Sequence, residues 1–277
     1  MRALLLALLL AGCAALPAAD PEPLTVFVAI DDASAATLGP FPLDRAVYAR
    51  AIEAARDQGA RAVALKFFLD QPRAPESDRA LTEAERELPV LLQVQGAADD
   101  GGRPLPDNLI RDDWDLGRTP QPLKMDAVEL PLPRFAGAAR ALGFVDARPD
   151  SLARKVEIAG LVHGRAIASL QVAIVEAAIG RHGVVADNRL QLGISTFGLD
   201  AEGRIDCDAF AGPPPRVFGI EALLAGSIPP DAVRGKVVVL GYLRKDSPTV
   251  DLAGAKVPVH EVFYRQVACL ARKVGGR

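Results

Sequence analysis

The chain is poor in the residues that carry most enzymatic chemistry. Its 277 residues include three histidines, three cysteines, one tryptophan and three tyrosines, and aromatics make up 5%. No Gly-x-Ser-x-Gly elbow, His-Glu-x-x-His helix, Cys-x-x-Cys pair or glycine-rich phosphate loop occurs. Gly235-Lys236 fails as a phosphate loop because its glycine spacing is wrong and Val237 stands where a hydroxyl residue is needed. The familiar hydrolytic, redox and nucleotide sites are thus missing their signature groups, and a protein without enzymatic activity or cofactor is expected. Scarce Trp and Tyr argue against an aromatic-walled ligand cage. Lysine and arginine are scattered through a chain of net charge −3. Without a basic face, nucleic acid is excluded as a partner, and no polybasic run is present to hold anionic lipid. Past the leader, no apolar stretch reaches the roughly 20 residues that a membrane-spanning helix needs.

What the chain does have begins at its start. Arg2 precedes an unbroken apolar run, Ala3 to Leu10, and Leu10-Ala11-Gly12-Cys13 follows. As a helix the run would cover about 12 Å, against a hydrocarbon core of about 30 Å, so it cannot span a membrane. Small residues before a cysteine suit a peptidase groove that must admit the backbone closely. The pattern resembles the lipobox of bacterial lipoproteins, which implies removal of residues 1–12 and a diacylglyceryl thioether on Cys13. Each buried methylene adds about 0.8 kcal/mol, so two or three acyl chains fix a globule to a membrane surface. The resemblance therefore implies a membrane-anchored protein facing the periplasm or the cell exterior, with Ala14 favouring outer-membrane sorting. Residues 13–23, rich in Ala and Pro, read as a tether.

From residue 24 the chain reads as one domain, to about residue 272. Leu24 to Ile30 is an apolar, β-branched run of strand length that stops at Asp31-Asp32. Asp44 is placed to cap a helix with the stripe Val47, Tyr48, Ala51, Ile52, Ala55, and Gly59 ends it. Ala62 to Leu65 follows as a strand, which gives a βαβ signature with a parallel pair. Ser77-Asp78 opens another helical stretch to Glu87, and Val90 to Val94 is a third strand. Residues 96–133, rich in Gly, Pro and Asp, read as a long irregular surface insertion. Ile167 to Ile179 is apolar on nearly every face and predicts a buried helix closed by Gly180. Lys236 to Gly241 is the clearest strand, and Pro258 begins a terminal helix. Together these predict a three-layer α/β domain with a mostly parallel central sheet. Cys207 and Cys269 can form a disulfide in an oxidising compartment or remain buried thiols; buried thiols are the simpler reading.

Several segments, taken in order, resemble the second type of CHASE domain, the extracytoplasmic sensory module named for cyclases and histidine kinases. They are Val28 to Asp32; Pro42, Arg45 and Gly59 to Val63; Gly143 to Val145 with Pro149-Asp150 and Arg154-Lys155; Ala168 to Leu170; and Leu199 to Gly203. Ile228 to Pro230 with Arg234 to Gly241, and Val257 to His260, complete the likeness. The resemblance implies a sensory, ligand-binding role in signal transduction. It departs at Lys66, where the family carries an aspartate, at Glu261, where alanine is preferred, and in a short Tyr242–Ala255 loop. Family members also have membrane helices and a cytoplasmic output domain. A lipid in one leaflet transmits no conformational change, so this chain is expected to act through a separate protein partner such as a membrane signalling protein. The alternative is an interaction or assembly lipoprotein that has lost ligand binding.

In an open parallel sheet, ligands sit beyond the carboxyl ends of the strands. Asp31 and Asp32 follow the first strand and Lys66 the second. Asp246 and Asp251 lie past the strand ending at Gly241, and His260 lies in the first turn of the last helix. These form the candidate ligand-binding crevice. Either the paired carboxylates bind a ligand, or they cap local loops with Lys66 as their counter-ion. His260 is either a ligand contact or a structural group bonded to a loop carbonyl.

Overall fold

The computed structural model describes residues 23–99, 101–117, 121–149 and 152–275. Cys13 and the whole leader and tether up to residue 22 lie outside the described residues, as does Asp150. The central sheet contains β1 (Thr25–Ile30), β2 (Ala62–Leu65), β3 (Val90–Ala97), β4 (Ala127–Glu129), β5 (Ala141–Phe144), β6 (Val217–Gly219) and β7 (Val237–Tyr242). Its order is β6-β1-β7-β2-β3, all parallel. β3 then pairs in parallel with β5 over Leu91–Val94 and antiparallel with β4 over Gln95–Ala97. β1 and β2 are buried at every residue, as strands covered on both faces must be, which is why their sequences are apolar throughout.

The helices are α1 (Asp32–Leu38), α2 (Arg45–Asp57), α3 (Pro75–Glu87), α4 (Pro133–Ala138), α5 (Leu170–Ile179), α6 (Ile220–Leu224), α7 (Pro230–Val233) and α8 (Val259–Gly275). On one face of the sheet α2, α3, α4 and α6 pack on Val28, Ile30, Leu65, Leu92 and Leu240. On the other, α5 and α8 pack on Phe27, Ala64, Leu91 and Val239. This is the expected three-layer α/β arrangement around a mostly parallel sheet. Asp44 caps α2 through the Ala46 amide at 2.8 Å, and the stripe from Val47 to Ala55 is buried as its spacing predicts.

Beyond α5 lies an additional β layer. Val172 and Val175 turn away from the sheet toward Val156, Ile158, Val185, Leu190 and Leu192. The last three belong to a meander of Gly183–Ala186, Arg189–Leu192 and Ser195–Gly198. Two cores meet on one helix, which explains why its sequence shows no polar face. That helix begins at Leu170, capped by Ser169, rather than at Ile167; Ile167 and Ala168 belong to the strand Arg165–Ala168. Gly143 permits its approach, since a Cβ there would stand 2.5 Å from the Leu170 Cα.

Three expectations change. Cys207 and Cys269 are joined in a disulfide, their Cα atoms 6.0 Å apart, which ties the β layer to α8. Stretch 96–133 is not simply a surface insertion: Leu109, Trp114, Leu116, Val128 and Leu130 are buried, and Trp114 Nε1 donates to the Gly183 carbonyl at 2.7 Å. Its buried residues divide between two cores, Leu109, Val128 and Leu130 in one and Trp114 and Leu116 in the other, so they form no single stripe. α3 starts at Pro75, two residues before Ser77; Asp78 lies in its first turn, but it is buried and accepts from Arg45 Nη1 at 2.5 Å.

Candidate functional site

β1 and β7 run in register from Thr25↔Val237 to Ile30↔Tyr242, so both chains leave the sheet level at its carboxyl edge. The four acids predicted there are each engaged locally. Asp31 is the N-cap of α1: its Oδ1 accepts from the Ser34 amide at 2.8 Å, and Ser34 Oγ accepts from the Asp31 amide at 3.3 Å. The Ser34 amide bond, ahead of the smaller effects, holds the Asp31 carboxyl below the usual range. This capping box was readable in the Asp31-x-x-Ser34 spacing. Asp32 is exposed, accepts from the Lys245 amide at 3.3 Å and lies 3.9 Å from Arg244 Nε. Asp246 takes two 2.8 Å bonds from Arg244. Asp251 belongs to a separate hairpin, Thr249–Leu252 with Ala255–Pro258, and accepts from the Gly254 amide at 2.8 Å.

Lys66 is no counter-ion to Asp31 or Asp32. Side chains alternate along a strand, so with Leu65 and Phe67 on the α2 face, Lys66 turns to the α8 face. There Nζ donates to Gln93 Oε1 at 2.9 Å and sits 5.4 Å from the centre of the Phe263 ring. Burial pushes its pKa down to about 8, while Asp146 nearby raises it. Asp146 accepts from the Gly96 amide at 2.8 Å, and burial pushes its carboxyl up. His260 is buried on the same side. Its Nδ1 accepts the Tyr242 amide at 3.2 Å, so it bonds a backbone N–H rather than a loop carbonyl, and its proton sits on Nε2. Burial, with Lys66 adding to it, lowers its pKa to about 3, which keeps the ring neutral. Gly241 makes room for this: a Cβ there would meet Tyr264 Oη at 2.5 Å and His260 Nδ1 at 2.6 Å. His182 is held by Arg111 at 2.7 Å and Asp113 at 2.9 Å.

On the α2 face of the same edge the structure builds what composition argued against. A cleft of about 250 Å³ is lined by Phe41, Tyr48, Phe67 and Tyr242, with Arg45 and Arg73 at its polar side. Phe67 stacks on Tyr48 at 4.8 Å and on Tyr242 at 6.0 Å, and Phe41 lies 5.0 Å from Tyr242. Tyr242 is the partition, its other side meeting the His260 ring at 3.9 Å. Arg45 is neutralised by Asp78 and also donates to the Gln71 carbonyl. The carboxyl-edge rule applies to Phe67 and Tyr242 as much as to the charged residues, since Phe67 lies two positions past β2 and Tyr242 ends β7. Chemically, such walls suit a flat or apolar group, with exposed Arg73 beside it.

The open, mainly parallel sheet covered by helices on both faces defines a three-layer α/β domain, with the aromatic cleft at its carboxyl edge. The CHASE2 domain matches residues 5–259, and the chain belongs to that family of extracytoplasmic sensory domains. No curated protein and no solved structure matches the chain.

Proposed function

We propose that this chain is an extracytoplasmic sensory module that binds a small, flat-faced molecule in the Phe41–Tyr48–Phe67–Tyr242 cleft, and that a lipid on Cys13 holds it to the outer side of a bacterial membrane. The observation that carries the ligand reading is the convergence of four rings at the carboxyl edge of a CHASE2 fold. Tyr242 offers a route outward. It touches the cleft on one side and His260, in the first turn of α8, on the other. α8 runs 17 residues, about 25 Å, to the opposite edge, where Gly275 lies beside Leu24. A ligand that displaces Tyr242 would shift α8 and present the change to a membrane partner at that far edge. The disulfide supports an exported location, and no helix among the described residues is long and apolar enough to cross a membrane. Binding without catalysis is favoured because His260, buried and of low pKa, is a poor general base.

A thermal-shift screen of the full chain against small metabolites tests the ligand reading. A hit should lose at least tenfold in affinity in Phe67→Ala, whereas silence across a broad panel, or an unchanged hit in Phe67→Ala, rejects it. Labelled palmitate should enter the wild-type chain and not Cys13→Ser; equal labelling removes the anchor. Internal engagement of Asp31, Asp32 and Asp246 favours a second reading, a lipoprotein that acts by docking to a partner. Crosslinking in membranes should then capture a stoichiometric partner without added ligand.

A further inference from the structure

At the amino edge of the sheet a cleft of about 520 Å³ opens between the starts of β2, β3 and β5 and the end of α5. Four arginines line it, from distant parts of the chain: Arg61, Arg111, Arg140 and Arg181. Arg111 is engaged, donating to Glu176 Oε2 at 2.6 Å and contacting His182 at 2.7 Å, which in turn meets Asp113. The other three are exposed and form no ion pair with any described residue. Some arginines elsewhere take carboxylates, among them Arg45 with Asp78, Arg148 with Glu157, Arg165 with Asp112, Arg204 with Asp200, Arg244 with Asp246 and Arg265 with Glu261, while Arg50, Arg79 and Arg86 stand singly on the surface; the cleft differs in gathering three such groups in one place. Arg61 gives only its Nε to the Gly235 carbonyl, at 3.2 Å.

The segments that carry two of the three arginines meet at Gly180. A Cβ on Gly180 would stand 2.9 Å from Arg61 Nη1, so the Arg61 guanidinium lies directly on the turn that carries Arg181. Gly180 has φ +67°, the left-handed cap of α5. The last carbonyls of a helix ordinarily favour cations, but Glu176 O already accepts both the Gly180 and Arg181 amides. Of the acids lining the cleft, Glu176 is taken by Arg111 and the Gly183 amide, which leaves Asp107 against three guanidinium groups. Positive charge is in excess, on planar forks arriving from three elements.

We propose that this cleft binds a phosphate-type oxyanion. A tetrahedral, multiply charged oxyanion offers acceptors in several directions, as forks from three elements require, whereas one carboxylate presents acceptors in a single plane. The volume exceeds a single phosphate and admits a phosphorylated small molecule. The cleft lies on the edge where Leu24 enters the fold, so a phospholipid headgroup can supply the same chemistry. This inference rests on the unpaired arginines and not on the aromatic cleft.

The test uses the full chain in neutral detergent at low salt, titrated calorimetrically with inorganic pyrophosphate, and floated with phosphatidylglycerol or neutral phosphatidylcholine vesicles. Any acyl anchor contributes equally to both vesicle types. Saturable pyrophosphate binding that falls at least tenfold in the triple variant Arg61→Ala/Arg140→Ala/Arg181→Ala establishes the site with a soluble ligand. Preference for phosphatidylglycerol that the triple variant loses, without pyrophosphate binding, establishes it with a headgroup. Absence of both, or either one surviving intact in the triple variant, overturns the proposal. If the triple variant melts lower than the wild type, Arg140→Ala alone is read instead, with a threefold loss expected.

Discussion

At the carboxyl edge of the sheet, every charged residue that sequence reasoning singled out is held by its own neighbourhood: Asp31 by Ser34, Asp32 by the Arg244–Lys245 segment, Asp246 by Arg244, Asp251 by Gly254 and Lys66 by Gln93. The open surface there is aromatic. At the amino edge the reverse holds, and Arg61, Arg140 and Arg181 line a cleft without an ion pair to any described residue. The difference teaches that charge marks a binding surface only where the fold leaves it unsatisfied. A carboxylate already accepting backbone amides has little left to offer a ligand, whereas an unpaired guanidinium keeps its donors.

Substitutions at the two edges should therefore behave differently. The largest effect is expected for Gly241→Ala, whose new methyl would overlap Tyr264 and His260; displacing α8 should lower stability by about 3 kcal/mol. Chemical denaturation measures it, and a loss near zero would mean α8 is not seated as described. Next come the buried titrating groups. Lys66 has a folded pKa of about 8 against 10.5 unfolded, so the unfolded chain holds more protons between those values and stability rises with pH across that window. Glu85, 2% exposed with neither oxygen hydrogen-bonded, is pushed up to about 8 from 4.5 by burial. There the folded state holds the extra proton, so stability falls as pH rises from 4.5 to 8. Each slope is at most about 1.4 kcal/mol per pH unit. Lys66→Met should flatten the first and Glu85→Gln the second, as melting curves over both ranges would show.

A smaller effect separates a cap from a ligand contact. Asp31→Ala should cost about 1 kcal/mol by removing the capping box of α1, while leaving affinity for any hit from the cleft screen unchanged. A large loss of affinity with normal stability would restore Asp31 to the site and blur the contrast between the edges. The smallest is expected at the amino edge, where Arg140→Ala should alter stability by less than about 0.5 kcal/mol. A loss above 1 kcal/mol would show that this arginine is structural.

The amino-acid sequence by itself determined the layered α/β class, the buried strands β1, β2, β3 and β7, the capped α2 and the mostly apolar α5, because each rests on local pattern: apolar runs, helical spacing and cap residues. It also held the order of segments that places the chain in the CHASE2 family. Tertiary structure alone decided the rest. Whether Cys207 meets Cys269, 62 residues away, depends on how the β layer seats against α8. The aromatic cleft joins Phe41, Tyr48, Phe67 and Tyr242, and the basic cleft joins Arg61, Arg140 and Arg181. No local spacing records such meetings, since parallel strands are joined by long crossovers that bring remote residues to one edge. Nor does composition foretell them, for a few rings or guanidinium groups scattered along a chain become a surface once a sheet aligns them.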